Sequence, residues 1–176
     1  MITTSYIPFY NKGIENIHLP DHARVWVFQA DSFLSDADSE QLQREGNRFA
    51  ASWKAHGKEL GARFAVLCNL FAVMAVDESR EGATGCSIDA FMRFMLQKQE
   101  EFGLSFTNRM CIAYMENDEI RLCKSCDLAK LKLNEKITPE TLVFDNLVTT
   151  LGEFKQSRLK PASQTWLSSF LCPVAP

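Results

Sequence analysis

The chain has 176 residues, 46% of them apolar and 23% charged, with a formal net charge of −3 and a pI near 5.6. These values describe an ordinary folded domain and exclude a disordered, collagen-like or low-complexity chain. No broad basic field exists, which disfavours sequence-independent binding to nucleic acid or to an anionic membrane surface.

Residues 1–23 mix polarity around Pro8, Gly13 and Pro20 and read as an arm packed on one α+β domain, 24–176. Met1 to Tyr10 shows no basic n-region and no apolar signal core. The longest uncharged run, 64–76, is too short to span a bilayer. A cytoplasmic protein with no membrane role is expected. Six cysteines in a chain with a full apolar core read as free thiols.

Arg24 to Ala30 (RVWVFQA) is a strand of β-branched and aromatic residues. Ser35 is the expected N-cap of a helix with Asp36, Asp38 and Glu40 near its start. Leu42, Phe49 and Trp53 form its apolar stripe, and His56-Gly57 ends it. Gly61 to Val76 reads as two antiparallel strands, 62–67 and 70–77, turning at Cys68-Asn69. A single buried helix is the alternative. After the 78–86 loop comes the clearest helix, Ser87 to Glu101, with Ile88, Phe91, Met92, Met95 and Leu96 on one face and Gly103 beyond its end. Arg109–Met115 and Glu119–Cys123 form a hairpin about Glu116-Asn117-Asp118. A short helix (126–133), a strand (141–148) and a terminal helix (163–171) with Trp166 and Phe170 follow. The first six elements match a ferredoxin-like β-α-β-β-α-β pattern: one antiparallel sheet with helices on one face, extended by a C-terminal hairpin strand and helices.

Val76 to Asp89, VDESREGATGCSID, is the richest segment for chemistry. A strand end leads through two glycines into a helix N-terminus, where backbone N–H groups and the helix dipole favour anions. Glu78, Gly82, Thr84, Gly85, Ser87 and Asp89 are the candidate ligand-binding residues. Asp77 and Cys86 are the catalytic candidates, because a helix start favours the thiolate form of cysteine. The carboxylates oppose a bare phosphate unless a cation intervenes. The plainer reading is equally concrete: turn glycines, a capping Ser87 and a carboxylate offsetting the dipole. A nucleophile also needs a base, and His18, His22 and His56 are distant in sequence.

Cys123-Lys124-Ser125-Cys126 is a lone CxxC, half of a zinc site or a redox pair, without a second ligand pair. Asp145 within VFDNLV needs a partner or an exit to solvent. No cofactor or metal is expected.

The combination of RVWVFQ (24–29), VDESREGATGCSID (76–89), FGLSFTNRM (102–110) and VFDNLV (143–148) resembles an uncharacterised family of small bacterial proteins commonly labelled "ABC transporter ATPase". The likeness covers residues 24–171. It implies no established activity and no site residues. The label itself conflicts with the chain. Gly82 and Gly85 are three apart and no lysine lies between Lys58 and Lys98, so G-x-x-x-x-G-K-[ST] is absent.

Two functional expectations follow. One is a non-catalytic interaction protein, a homodimer or the partner of another protein, because a sheet with helices on one face leaves the other face to be covered, with Trp26, Phe28 and the terminal helix available. The other is a binder of a small anionic ligand, or an enzyme, built on residues 77–89.

Overall fold

A computed structural model describes residues 13–14 and 17–171. Two compact units are formed. One holds the described residues up to Thr107 together with Leu147–Lys155, and the other Asn108–Asn146 and Gln156 onward.

The first unit is built on a three-stranded antiparallel sheet of order β1-β5-β4, from β1 (Arg24–Gln29), β4 (Gly61–Leu67) and β5 (Phe71–Asp77). The run 61–77 is therefore a hairpin and not a buried helix. Cys68 and Asn69 both take positive φ (54° and 50°), the left-handed backbone of a tight hairpin turn. Six of the seven residues of the central strand β5 are buried, which explains the nearly continuous apolar run that made its period ambiguous.

Strand alternation places Trp26, Phe28, Phe64 and Met74 on one face. Helix α1 (Asp36–Ser52) and helix α2 (Gly85–Phe102) supply its aromatic partners. Phe91 meets Phe28 edge-on at 5.4 Å, Trp26 meets Trp53 edge-on at 5.8 Å, and Phe49 stacks on Phe94 at 4.9 Å. Trp26 and Phe28 are thus engaged inside the chain. The opposite face is also buried: Phe71, Val73 and Ala75 are inaccessible to solvent. The vacant sheet face on which the homodimer expectation rested does not exist in this unit. Ala23 and Asp21 accept backbone hydrogen bonds from Leu151 and Gly152, which open helix α4 (Leu151–Ser157).

Ser35 caps α1 as expected, accepting from the Asp38 amide at 3.1 Å. The helix ends at Ser52, not His56. Trp53 leaves it because its buried indole N–H donates to the Ser87 carbonyl at 2.8 Å. His56 and Gly57 (φ 48° and 79°) instead turn a small hairpin between β2 (Lys54–Ala55) and β3 (Lys58–Glu59). Gly103 is the left-handed cap of α2 (φ 65°).

The second unit is a four-stranded antiparallel sheet of order β7-β6-β8-β9. It comprises β6 (Cys111–Glu116), β7 (Glu119–Lys124), β8 (Leu142–Phe144) and β9 (Leu159–Pro161). Asn117 and Asp118 turn the β6–β7 hairpin with positive φ at both positions. Helix α3 (Leu128–Leu133) and the terminal turn α5 (Ser168–Leu171) close a core of Ile112, Tyr114, Leu128, Ile137, Val143, Ala162, Leu167 and Leu171.

The protein is therefore α+β with several antiparallel sheets, but the expected continuous ferredoxin-like sheet is not formed. The β6–β7 hairpin pairs with β8, not with β1 or β4. The expected strand 141–148 stops at Phe144, although the Asp145 amide still donates to the Arg158 carbonyl in the β8–β9 register.

Candidate functional site

All eight candidate residues of 77–89 lie in the first unit. Asp77 ends β5 and folds the loop onto itself: its Oδ1 accepts from the Ser79 backbone N–H at 3.0 Å and from the Ser79 hydroxyl. His22 reaches this corner, with Nε2 at 2.9 Å from Ser79 Oγ and 3.5 Å from Asp77 Oδ1. The two Ser79 donors, hydroxyl first, followed by His22, hold the Asp77 carboxyl below its usual range. Serine, histidine and aspartate thus meet, but not as a relay. In a nucleophilic triad the imidazole stands between the other two, one nitrogen to each. Here a single nitrogen faces both oxygens, and the serine hydroxyl donates to the carboxylate. His22 is 68% exposed, so the low-dielectric surroundings that strengthen such a network are missing.

The rest of the loop is similarly self-satisfied. Glu78 Oε1 accepts from the Ala83 amide at 2.9 Å and lies 3.8 Å from Arg24 Nη1. Glu81 pairs with Lys58 at 2.9 Å, and that bond lowers its pKa. The helix start is a capping box between Thr84 and Ser87. The Thr84 amide donates to Ser87 Oγ at 2.8 Å, while the Ser87 amide points to Thr84 Oγ1 at 3.4 Å. These bonds occupy donors that an anion would require. The helix begins at Gly85, two residues before the expected Ser87, so Asp89 lies beyond the first turn and is exposed. Gly82 and Gly85 do not take positive φ, and a Cβ on Gly85 would meet open space.

Cys86 is exposed at the second position of α2. His22, the histidine that reaches this loop, directs Nε2 at Ser79 and Asp77. His56 sits in the β2–β3 turn, and His18 is exposed.

In the second unit, Cys123 lies in β7 and Cys126 in the 3-10 turn after it. Burial, followed by the neighbouring Cys111, pushes the Cys123 thiol up to about 11. A thiol so held is a poor nucleophile at neutral pH. Among the described residues, no group of three or more His, Cys, Asp or Glu could hold a metal ion. Cys172 lies outside those residues. Asp145 finds its partner in Lys160 at 2.8 Å. Asp77 and Cys86 belong to one unit and Asp145 to the other.

Among the described residues, an exposed large aromatic pair lies toward the end of the second unit. Trp166 (48% exposed) and Phe170 (57%) pack edge-to-face at 5.9 Å. Lys132 of α3 donates to the Phe170 carbonyl at 2.9 Å, in the turn that presents them. Its neighbour Leu133 is 83% exposed. No described helix is long and apolar enough to cross a membrane.

No family model, no curated protein and no solved structure matches the chain.

Proposed function

We propose that the protein is a non-catalytic interaction protein that self-associates through Trp166 and Phe170. The supporting observation is that exposed aromatic pair, on a turn whose Phe170 carbonyl accepts a hydrogen bond from Lys132. Aromatic side chains contribute large contact area with few rotatable bonds and dominate interface energetics.

The enzymatic or anion-binding reading of 77–89 has less behind it. The carboxylates of Asp77, Glu78 and Glu81 are engaged by Ser79, Ala83 and Lys58. The Thr84 and Ser87 donors are engaged by each other. The proposal includes a cytoplasmic location and kinship with the small bacterial family that the sequence resembles. It excludes ATP hydrolysis by a P-loop mechanism, on the missing lysine and glycine pattern.

Sedimentation velocity over 1–200 μM tests it, with the range chosen around the ~μM affinities of modest interfaces. The wild-type protein is expected to shift from monomer to dimer, and Trp166→Ala/Phe170→Ala to remain monomeric with an unchanged circular dichroism spectrum. Identical profiles for the two proteins would remove the proposal.

A further inference from the structure

Among the described residues the exposed aromatic side chains are Trp166, Phe170 and Phe33, the last 49% exposed. The first two lie in the second unit and Phe33 in the first. Their charge settings are opposite. Residues 154–171, which carry Trp166 and Phe170, contain no Asp or Glu. The charged side chain that reaches them is Lys132, through the Phe170 carbonyl. Asp127 and Glu135 lie beyond the two ends of α3, and the helix itself exposes Ala129, Lys130, Lys132 and Leu133. Phe33 lies in a run, 25–43, that contains no Lys or Arg. Its loop is tied on both sides, by the Asp31 amide to the Ser105 carbonyl and by the Leu34 amide to the Asn69 carbonyl. The first turn of α1 follows at once with Asp36 and Asp38, whose oxygens accept from the neutral Asn69 side chain and Ser35 hydroxyl, each at 2.6 Å.

We infer that the Trp166–Phe170 surface of one copy docks on the Phe33–Asp36–Asp38 surface of a second copy. This rests on the self-association proposed above and names the surface that the aromatic pair meets. Charge decides between the alternatives. Pair against pair brings Lys132 toward Lys132, with no carboxylate in 154–171 to separate them, whereas the Phe33 surface brings aspartates to lysines. Contact of Phe33 with Trp166 and Phe170 supplies the apolar centre, and the charges form its rim. In a two-fold dimer a contact between two unlike surfaces is made twice, once in each direction.

Charge exchange tests the contact, by sedimentation velocity over the same concentration range. Phe33→Ser is expected to weaken self-association at least ~10-fold, as for the loss of one anchoring side chain. Asp36→Lys/Asp38→Lys and Lys130→Glu/Lys132→Glu should each be monomeric alone, since every contact then sets like charges together. Mixed in equal amounts, the two should associate again. One contact then sets the introduced lysines against the introduced glutamates, and the other keeps its native charges. Self-association that depends on Trp166 and Phe170 but ignores Phe33→Ser, or a mixture no more associated than its separate components, would overturn the inference and leave the proposed function standing. A wild-type protein that stays monomeric throughout would remove both. Circular dichroism checks the folding of each variant. If a charge-reversed form does not fold, Phe33→Ser alone decides, because the side chain it replaces is exposed.

Discussion

Gly46 is the position where the packing of α1 on the sheet can be tested most sharply. A Cβ built there falls 2.0 Å from Phe64 Cδ1, 2.2 Å from Cε1 and 2.6 Å from Cγ. Ordinary carbon contacts begin near ~3.5 Å, so helix and ring must separate by roughly 1.5 Å. The ring has little room to yield: Phe64 is 4% exposed and stands edge-on to Phe94 at 6.2 Å. Overpacking of this kind costs about 1–3 kcal/mol. Alanine in place of glycine returns about 1 kcal/mol through helix propensity. With so short an approach the cost falls at the upper end of that range, so Gly46→Ala should destabilise the first unit by up to about 2 kcal/mol. Propensity alone predicts the opposite sign. Urea unfolding in a Trp166→Phe background, where Trp26 and Trp53 report on this unit, measures the difference. Phe64→Leu narrows the obstacle, so Gly46→Ala/Phe64→Leu should be less destabilised than the sum of the single changes by about 1 kcal/mol or more. A stabilised Gly46→Ala, or a strictly additive cycle, would refute the packing argument.

Two further outcomes concern titration and thiol reactivity. Lys98 of α2 is 4% exposed and held by Glu45 of α1 and Glu101. Burial opposes its charge, yet the hydrogen bonds to Glu101 and Glu45 outweigh it and raise its pKa, while the Lys98 bond lowers that of Glu45. A depressed carboxyl stabilises the fold above its ordinary value of 4.5 and loses that contribution as pH falls through the folded value; a raised ammonium stabilises below 10.5 and loses it above. The Tm of the wild type relative to Lys98→Met should therefore fall at both extremes, and parallel pH profiles would contradict the pairing. At pH 8 about one Cys123 thiol in a thousand is ionised if its pKa is near 11. Iodoacetamide should accordingly label the exposed Cys86 and Cys126 well before Cys123, as read by peptide mass spectrometry, and early labelling of Cys123 would show that its burial is misjudged.

Features that depend on a few neighbouring residues were legible in the sequence. Ser35 caps its helix, Gly103 ends α2, and the turns at Cys68-Asn69 and Asn117-Asp118 lie where expected. Features set by distant partners were not. Trp53 completes an apolar stripe at helical spacing, yet Ser87, 34 residues away, draws its indole out of the helix. Leu96, expected on the apolar face of α2, is 41% exposed, while Lys98 on another face is buried because Glu45 and Glu101 receive its charge. The β6–β7 hairpin has no local signal for its neighbour, so β8 and not β1 or β4 joins it. One missed element did carry a signal. Thr150-x-x-Glu153 is a capping box, with the Glu153 amide donating to Thr150 Oγ1 at 3.2 Å and the Thr150 amide to Glu153 Oε2 at 3.2 Å. It marks the start of α4, which is too short for an apolar period to reveal.

The 77–89 segment shows the same division. Its strand–loop–helix course followed from the sequence. Whether its polar groups face a ligand or each other depended on His22 and Lys58, brought in from elsewhere in the chain. The Trp166–Phe170 pair was half legible: the two residues stood out at helical spacing, but their exposure and the Lys132 bond to the Phe170 carbonyl required the fold.

Native mass spectrometry of freshly purified protein, without chelator, addresses self-association and a working site in one spectrum. A dimer of twice 20.0 kDa carrying no additional mass, reduced to monomer by Trp166→Ala/Phe170→Ala, is the predicted result. A strict monomer, or a species carrying a metal or small molecule that Cys86→Ala or Cys123→Ala removes, would contradict it.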